Sequence, residues 1–297
     1  MGDYRSDSHG SATRRGVYTP VEFGIVNLRN MADVVNHGMH GGIGALIVEP
    51  PNAIWTTDVG TDAQARVKYP VGGGQHDEDD EDEDEDDDED EAVRTETFRE
   101  LVLVFQDDLG LHSSQERFWD TKPRNSGTAL CNIGDTDDAE DSGQKAFNYH
   151  TEPLWARLGL PPQTDPNDVN DQELGDVLSS SVHGDPATPL FTAKAGEPLR
   201  IRVAHPSGHA RQHAFALHGA EWQANAWARG ASSLRMGPNA TSNIISNQSG
   251  MSVMESWNIN PLYGAGGISQ APGDYLYRDV TSFEWSGGGL WGVLRVQ

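Results

Sequence analysis

The stretch GEPLRIRVAHPSGHARQHAFALHGAEW, residues 196–222, decides how the rest of the chain is read. Within it, Leu199-Arg200-Ile201-Arg202-Val203 alternates apolar and charged side chains, the period of a strand with one buried face. A connection containing Pro206 and Gly208 follows, and Gln212–Leu217 supplies a second strand. Toward the C-terminus, Gly273-Asp274-Tyr275-Leu276-Tyr277-Arg278 and GLWGVLRV at 289–296 read as two more. Toward the N-terminus, TFRELVLVF at 97–105 is a strand, and the apolar run Ile43–Val48, closed by Glu49-Pro50, is a buried one. No long amphipathic helix intervenes. Short strands joined by long Pro- and Gly-bearing loops predict an all-β, Greek-key sandwich.

The remaining segments set the expected organisation. Residues 1–20 are short of large apolar side chains and are expected to be disordered. Residues 51–96 read as a linker whose second half is an acidic insert, with Asp77–Glu91 an unbroken run of fifteen carboxylates. Such a run repels itself and has no apolar area to bury, so a solvated loop insert is the main reading. A weak divalent-cation sponge is the alternative.

The formal net charge is −25; without those fifteen residues the chain still carries 31 acidic against 21 basic side chains. Only four of the basic residues are Lys. An acidic, Lys-poor chain suits solubility at high salt, where self-repulsion is screened, and so suggests a halophilic source. The same charge excludes a nucleic-acid partner of the basic-stripe kind. A single cysteine, Cys131, excludes an intrachain disulfide and any Cys-rich metal site. No apolar run reaches eighteen residues, so no membrane span is expected. Arg14-Arg15 is not followed by the apolar segment of an export signal, and the compartment stays open.

Three segments resemble one family. His213-Ala-Phe-Ala-Leu-His218-Gly219, preceded by its strand, is similar to the HPFHLHGH-type segment of multicopper oxidases. Pro272–Tyr277 followed by Gly289–Val296 resembles the strands that close the final cupredoxin domain of that family. His40–Pro50, HGGIGALIVEP, resembles the close of an earlier cupredoxin domain. The resemblance implies a cupredoxin-like sandwich over 97–297, with 21–50 as the C-terminal remnant of a second cupredoxin domain. A sandwich of this kind needs about 100 residues, so the missing strands would come from elsewhere, or the remnant pairs onto an edge of the complete domain. The implied partners are another cupredoxin chain or a second copy.

The implied chemistry is copper-dependent oxidation with oxygen as acceptor, by a family usually exported. A blue copper centre needs two His, a Cys thiolate and usually a weak axial Met. Carried over from the family segment, His213 falls at the blue-centre histidine and His218 at a histidine of the oxygen-reducing cluster. Ala216 stands where the family has another cluster histidine, and no His-x-His occurs in the chain. Between Asp279 and Trp291, where the family places Cys, His and Met ligands, this chain has none of the three. Residues five apart in a regular strand point to opposite faces, so His213 and His218 are not expected to share one ion.

Two functions follow, and both stay open: a copper-free scaffold or binding module, or a subunit of a copper oxidase completed by another chain. His205, His209 and His213 cluster in the inter-strand connection, where hydrogen-bonded or exposed imidazoles are the plain reading and a weak metal site the sharp one. His37 and His40 flank the turn before the apolar run and read as structural. Met251 and Met254 read as core or loop filler, and Trp222, Trp227, Trp257, Trp285 and Trp291 mainly as core or interface. Asn239-Ala-Thr and Asn247-Gln-Ser match the glycosylation acceptor pattern.

Overall fold

The structure is a computed structural model. It describes residues 23–32, 36–39, 41–71, 94–109, 144–161, 174–208, 212–228, 236–281 and 286–297, together with Val169 and the backbone of two short strand pairs. Those pairs are β1 (Asp3–Tyr4) with β2 (Gly16–Val17), and β8 (Leu111–His112) with β9 (Ala129–Leu130).

The chain otherwise forms two stacked sheets and one added hairpin. The hairpin is β3 (Gly24–Arg29) with β4 (Ile43–Val48), and the short helix α1 (Asn36–Met39) lies in the connection between them. The first sheet contains β5 (Ile54–Thr57), β6 (Gln64–Val71), β7 (Arg94–Leu109), β12 (Leu199–Ser207) and β17 (Ser256–Ile259). Its order is β17-β12-β7-β6-β5, with β10 (Gln144–Phe147) pairing the far end of β7. The second sheet contains β11 (Leu190–Ala193), β13 (His213–Leu217), β16 (Asn247–Met251), β18 (Gly273–Asp279) and β19 (Trp291–Val296), in the order β11-β19-β18-β13-β16. A small ladder of β14 (Trp222–Gln223) and β15 (Ile244–Ile245) lies beside them. Pairing is antiparallel except β7 with β12 and β11 with β19. From β7 the chain passes to β11 in the second sheet, β12 in the first, β13 in the second, β17 in the first and β18 in the second, whereas β5–β6–β7 and β18–β19 are neighbours within one sheet. This is the cupredoxin-like Greek-key sandwich expected from the sequence, and it rests on strand order and register.

Period-two alternation builds the core. Leu101, Leu103 and Phe105 of β7 and Leu199, Ile201 and Val203 of β12 point inward to meet Phe215, Leu217, Tyr277 and Leu294 of the other sheet. Trp222 and Trp291 are fully buried, as is Met251, whereas Met254 is exposed. Trp285 lies outside the described residues.

Three expectations differ from the structure. The stretch 51–71 is not linker: β5 and β6 extend the first sheet, and Gln64–Val71 pair along Arg94–Leu101. The acidic run therefore lies between two adjacent strands whose ends, Val71 and Arg94, are partners. The Ile43–Val48 strand is not buried on both faces, since Leu46 is 51% exposed. Conversely β12 is buried on both faces, Arg200 and Arg202 included.

The last two share one cause. The hairpin lies as a third layer over the outer face of the first sheet, covering β12 and β17. Ile25 N–H donates to Asn258 Oδ1 at 3.1 Å, and Ser256 Oγ donates to the Ile25 carbonyl at 3.1 Å. Buried Arg202 donates from Nε to Glu100, from Nη1 to Asn258 and from Nη2 to Glu49, each at 2.9 Å. Gly24, at φ +74°, sits so close that a Cβ there would lie 2.1 Å from Asn258 Oδ1, which leaves room for glycine alone.

Candidate functional site

The inward rows do not stay apolar to the end. Counting by twos, Leu101-Leu103-Phe105 continues to Asp107, and Leu199-Ile201-Val203 continues to His205. Likewise Phe215 is preceded by His213, Tyr277 is followed by Asp279, and Phe147 is preceded by Lys145. Parallel β7 and β12 end where antiparallel β10 and β13 begin and β18 ends, so all five ionisable residues gather at one end of the core. None is more than 2% exposed. Helix α1 lies over this end, its Gly38 against Ser207, and Tyr149 Oη donates to the Gly41 carbonyl at 2.7 Å.

Four of the five form a line of alternating charge. Lys145 Nζ contacts Asp107 Oδ1. The other oxygen of Asp107 faces His213 Nε2 across 3.6 Å. His213 Nδ1–H donates to Asp279 Oδ2 at 2.5 Å, and Asp279 Oδ1 accepts the Thr281 N–H at 2.7 Å. His205 meets the His213 ring edge-on, centroids 4.5 Å apart, and Phe105 lies 5.1 Å from His213.

Electrostatics follow from this geometry. Burial alone would pull His213 down, but its two carboxylate partners outweigh it and raise the imidazole to about 9, so it is a cation at neutral pH. Burial likewise opposes ionisation of Asp107, yet His213 and Lys145 hold it well below the usual carboxylate range. His205 is pushed down to about 4, first by burial and then by the His213 charge, and stays neutral. Lys145, Asp107, His213 and Asp279 thus lie in that order, basic and acidic side chains alternating.

His213 and His218 are not brought together. His213 is interior; His218, just past β13, is exposed and its Nε2 accepts from Arg278 Nε at 3.2 Å. His205 is not in a loop, because β12 continues through Ser207 and carries it into the core. His37 is exposed on α1, while His40, His209 and Cys131 lie outside the described residues. Asn239 is buried and bonded to Gln223 and Thr241, whereas Asn247 is exposed.

The residues in hand do not fit a blue copper centre. A ligating imidazole must offer a neutral lone pair, and the nitrogens of His213 are directed at two carboxylates while the ring is a cation. Asp279, at the end of β18, contributes an oxygen, and among the described residues no group of three or more His, Cys, Asp or Glu is arranged to hold a metal ion. Sequence reasoning found His213 and His205 but missed Asp107, Lys145 and Asp279. The available signal was an ionisable residue in phase with an apolar row.

No family model matches the chain, and no curated protein does either. Similar solved structures include a blue copper oxidase from Nitrosomonas europaea, 12% identical, with TM-score 0.43 over 95% of this chain and 58% of that one. A copper nitrite reductase from the same organism is 14% identical, with TM-score 0.42 over 92% of this chain and 62% of that one. A laccase from Botrytis aclada is 15% identical, with TM-score 0.42 over 92% of this chain and 35% of that one. This chain spans less than two thirds of the length of each.

Proposed function

We propose that this chain is a copper-free relative of the multicopper oxidases, a sandwich that acts as a scaffold or binding module without redox chemistry of its own. The observation that carries the reading is the state of His213, the histidine matched to the family's blue centre. Its ring lies between Asp107 and Asp279, and Lys145 holds the other oxygen of Asp107. Copper binding would have to deprotonate this imidazole and break charge-assisted bonds in a buried core, with no thiolate among the described residues in compensation.

The alternative, a subunit completed by another chain, draws its support from the hairpin. Leu28 and Leu46 on its outer face, with neighbouring Phe23 and Met31, are between 48% and 71% exposed. A partner sandwich or a second copy would cover such a face. Copper stoichiometry tests the first reading directly: the chain is purified in molar salt, dialysed with Cu(II) and a weak chelator, and assayed by elemental analysis and EPR. The expected result is far less than one copper per chain. A stoichiometric copper with resolved EPR hyperfine lines would overturn it in favour of the oxidase subunit.

A further inference from the structure

A lysine and an aspartate on adjacent strands face each other inside the core. Antiparallel β7 and β10 pair Leu109 with Gln144 and Gln106 with Ala146, so at this bulge Asp107 and Asp108 stand opposite Lys145. Lys145 turns inward to Asp107, and each is 2% exposed. Two residues farther along each strand, Phe105 and Phe147 meet edge to face, ring centroids 4.6 Å apart. Both strands are thereby pinned where the two polar side chains meet.

The contact differs from that of an ordinary buried ion pair. Lys145 Nζ touches Asp107 Oδ1, yet this buried oxygen accepts no well-directed hydrogen bond among the described residues. A buried carboxylate oxygen beside an ammonium ordinarily accepts one. The nitrogen thus meets the carboxyl group off the hydrogen-bonding direction, and the atom it touches is bonded to Cγ, the carbon that an amine attacks.

We propose that Lys145 and Asp107 condense in the folded chain to an amide between Nζ and Cγ, a cross-link of β7 to β10 formed without an external reagent. The balance closes within the pair. The Nζ–Cγ bond forms and one Cγ–O bond breaks. Of the three ammonium hydrogens, one stays on the amide nitrogen and two leave with the oxygen as water. No atom changes oxidation state. Free in water, an ammonium and a carboxylate do not condense, and the fold opposes that in two ways. It holds the reacting groups together, which for well-oriented partners equals an effective concentration on the order of 10⁵ M or more. Burial also penalises each charge of the ion pair, whereas the amide carries none.

The link closes residues 107–145 into a loop, and a cross-link over so long a stretch removes much of the freedom of the unfolded chain. With Cys131 the single cysteine, no intrachain disulfide can do this. The inference goes beyond the copper-free reading and is independent of it: stoichiometric copper would refute that reading and leave this one standing.

The test is the intact mass, in denaturant, of the full-length wild type and of Lys145→Arg, whose guanidinium keeps the charge and does not form the amide. Wild type is expected to be lighter than its sequence by one water, and Lys145→Arg to show its full mass. Trypsin then places the link: residues 100–117 and 125–157 should appear as one branched species, uncut after Lys145, with fragment ions joining Lys145 to Asp107. A wild type of full mass, cut normally after Lys145, overturns the inference. So does a water loss that persists in Lys145→Arg or that maps to another aspartate, as a cyclic imide would. Mass and fragmentation are read on the unfolded chain, so a variant that folds poorly leaves the wild-type peptide map to decide.

Discussion

His213 and His218 stand five residues apart in one segment, and the strand period sends one inside and the other to water. The two predict opposite responses to mutation. Asp279→Ala leaves the His213 cation buried beside a single carboxylate, and removal of one partner of a buried pair costs about 3–5 kcal/mol. His218→Ala deletes a half-exposed contact with Arg278 and should stay within about 0.5 kcal/mol. Urea unfolding of both variants checks this; equal losses would mean that the buried line contributes nothing to stability. Family-matched residues were legible in the sequence, but their surroundings were not. Asp107, Lys145 and Asp279 come from three strands distant in sequence, and what joins them is the register of two sheets.

The same limit shows in the elements. The strands over 97–105, 199–203, 273–278 and 289–296 were legible because alternation and bounding turns survive in a single sequence. Burial of Arg200 and Arg202 was not, because a polar residue on an alternating strand signals solvent unless another layer covers it. Here the β3–β4 hairpin covers Arg202, which Glu49 reaches from just beyond β4, while Arg200 stacks on Tyr69 and Phe98. Burial first, and then the neighbouring Glu100 carboxyl, raise Glu49 to about 8 despite the Arg202 charge. An undocked Glu49 ionises near its ordinary 4.5. The docked state thus keeps an extra proton between those values, and the Glu49 contribution to docking falls as pH rises from about 4.5 to 8. Glu49→Gln should abolish that part of the slope. Hydrogen exchange of the β3 and β4 amides across this range, compared between wild type and variant, is the measurement, and parallel slopes would refute it.

At the scale of the molecule, charge dominates. A net −25 on one chain favours expansion, and counter-ions relieve it. The melting temperature is expected to rise with KCl up to about 2 M, and replacing residues 77–91 by a short Gly-Ser bridge should flatten the rise. A salt slope unchanged by that deletion would assign the effect to the folded surface instead. The acidic run is tied at both ends to partnered residues, since Val71 and Arg94 face each other in adjacent strands. Its two anchors are therefore held together by the ladder whether or not the peptide between them is continuous. The polypeptide could be cut inside 72–93 with every described strand keeping its neighbours: chain continuity and sheet order are separable there.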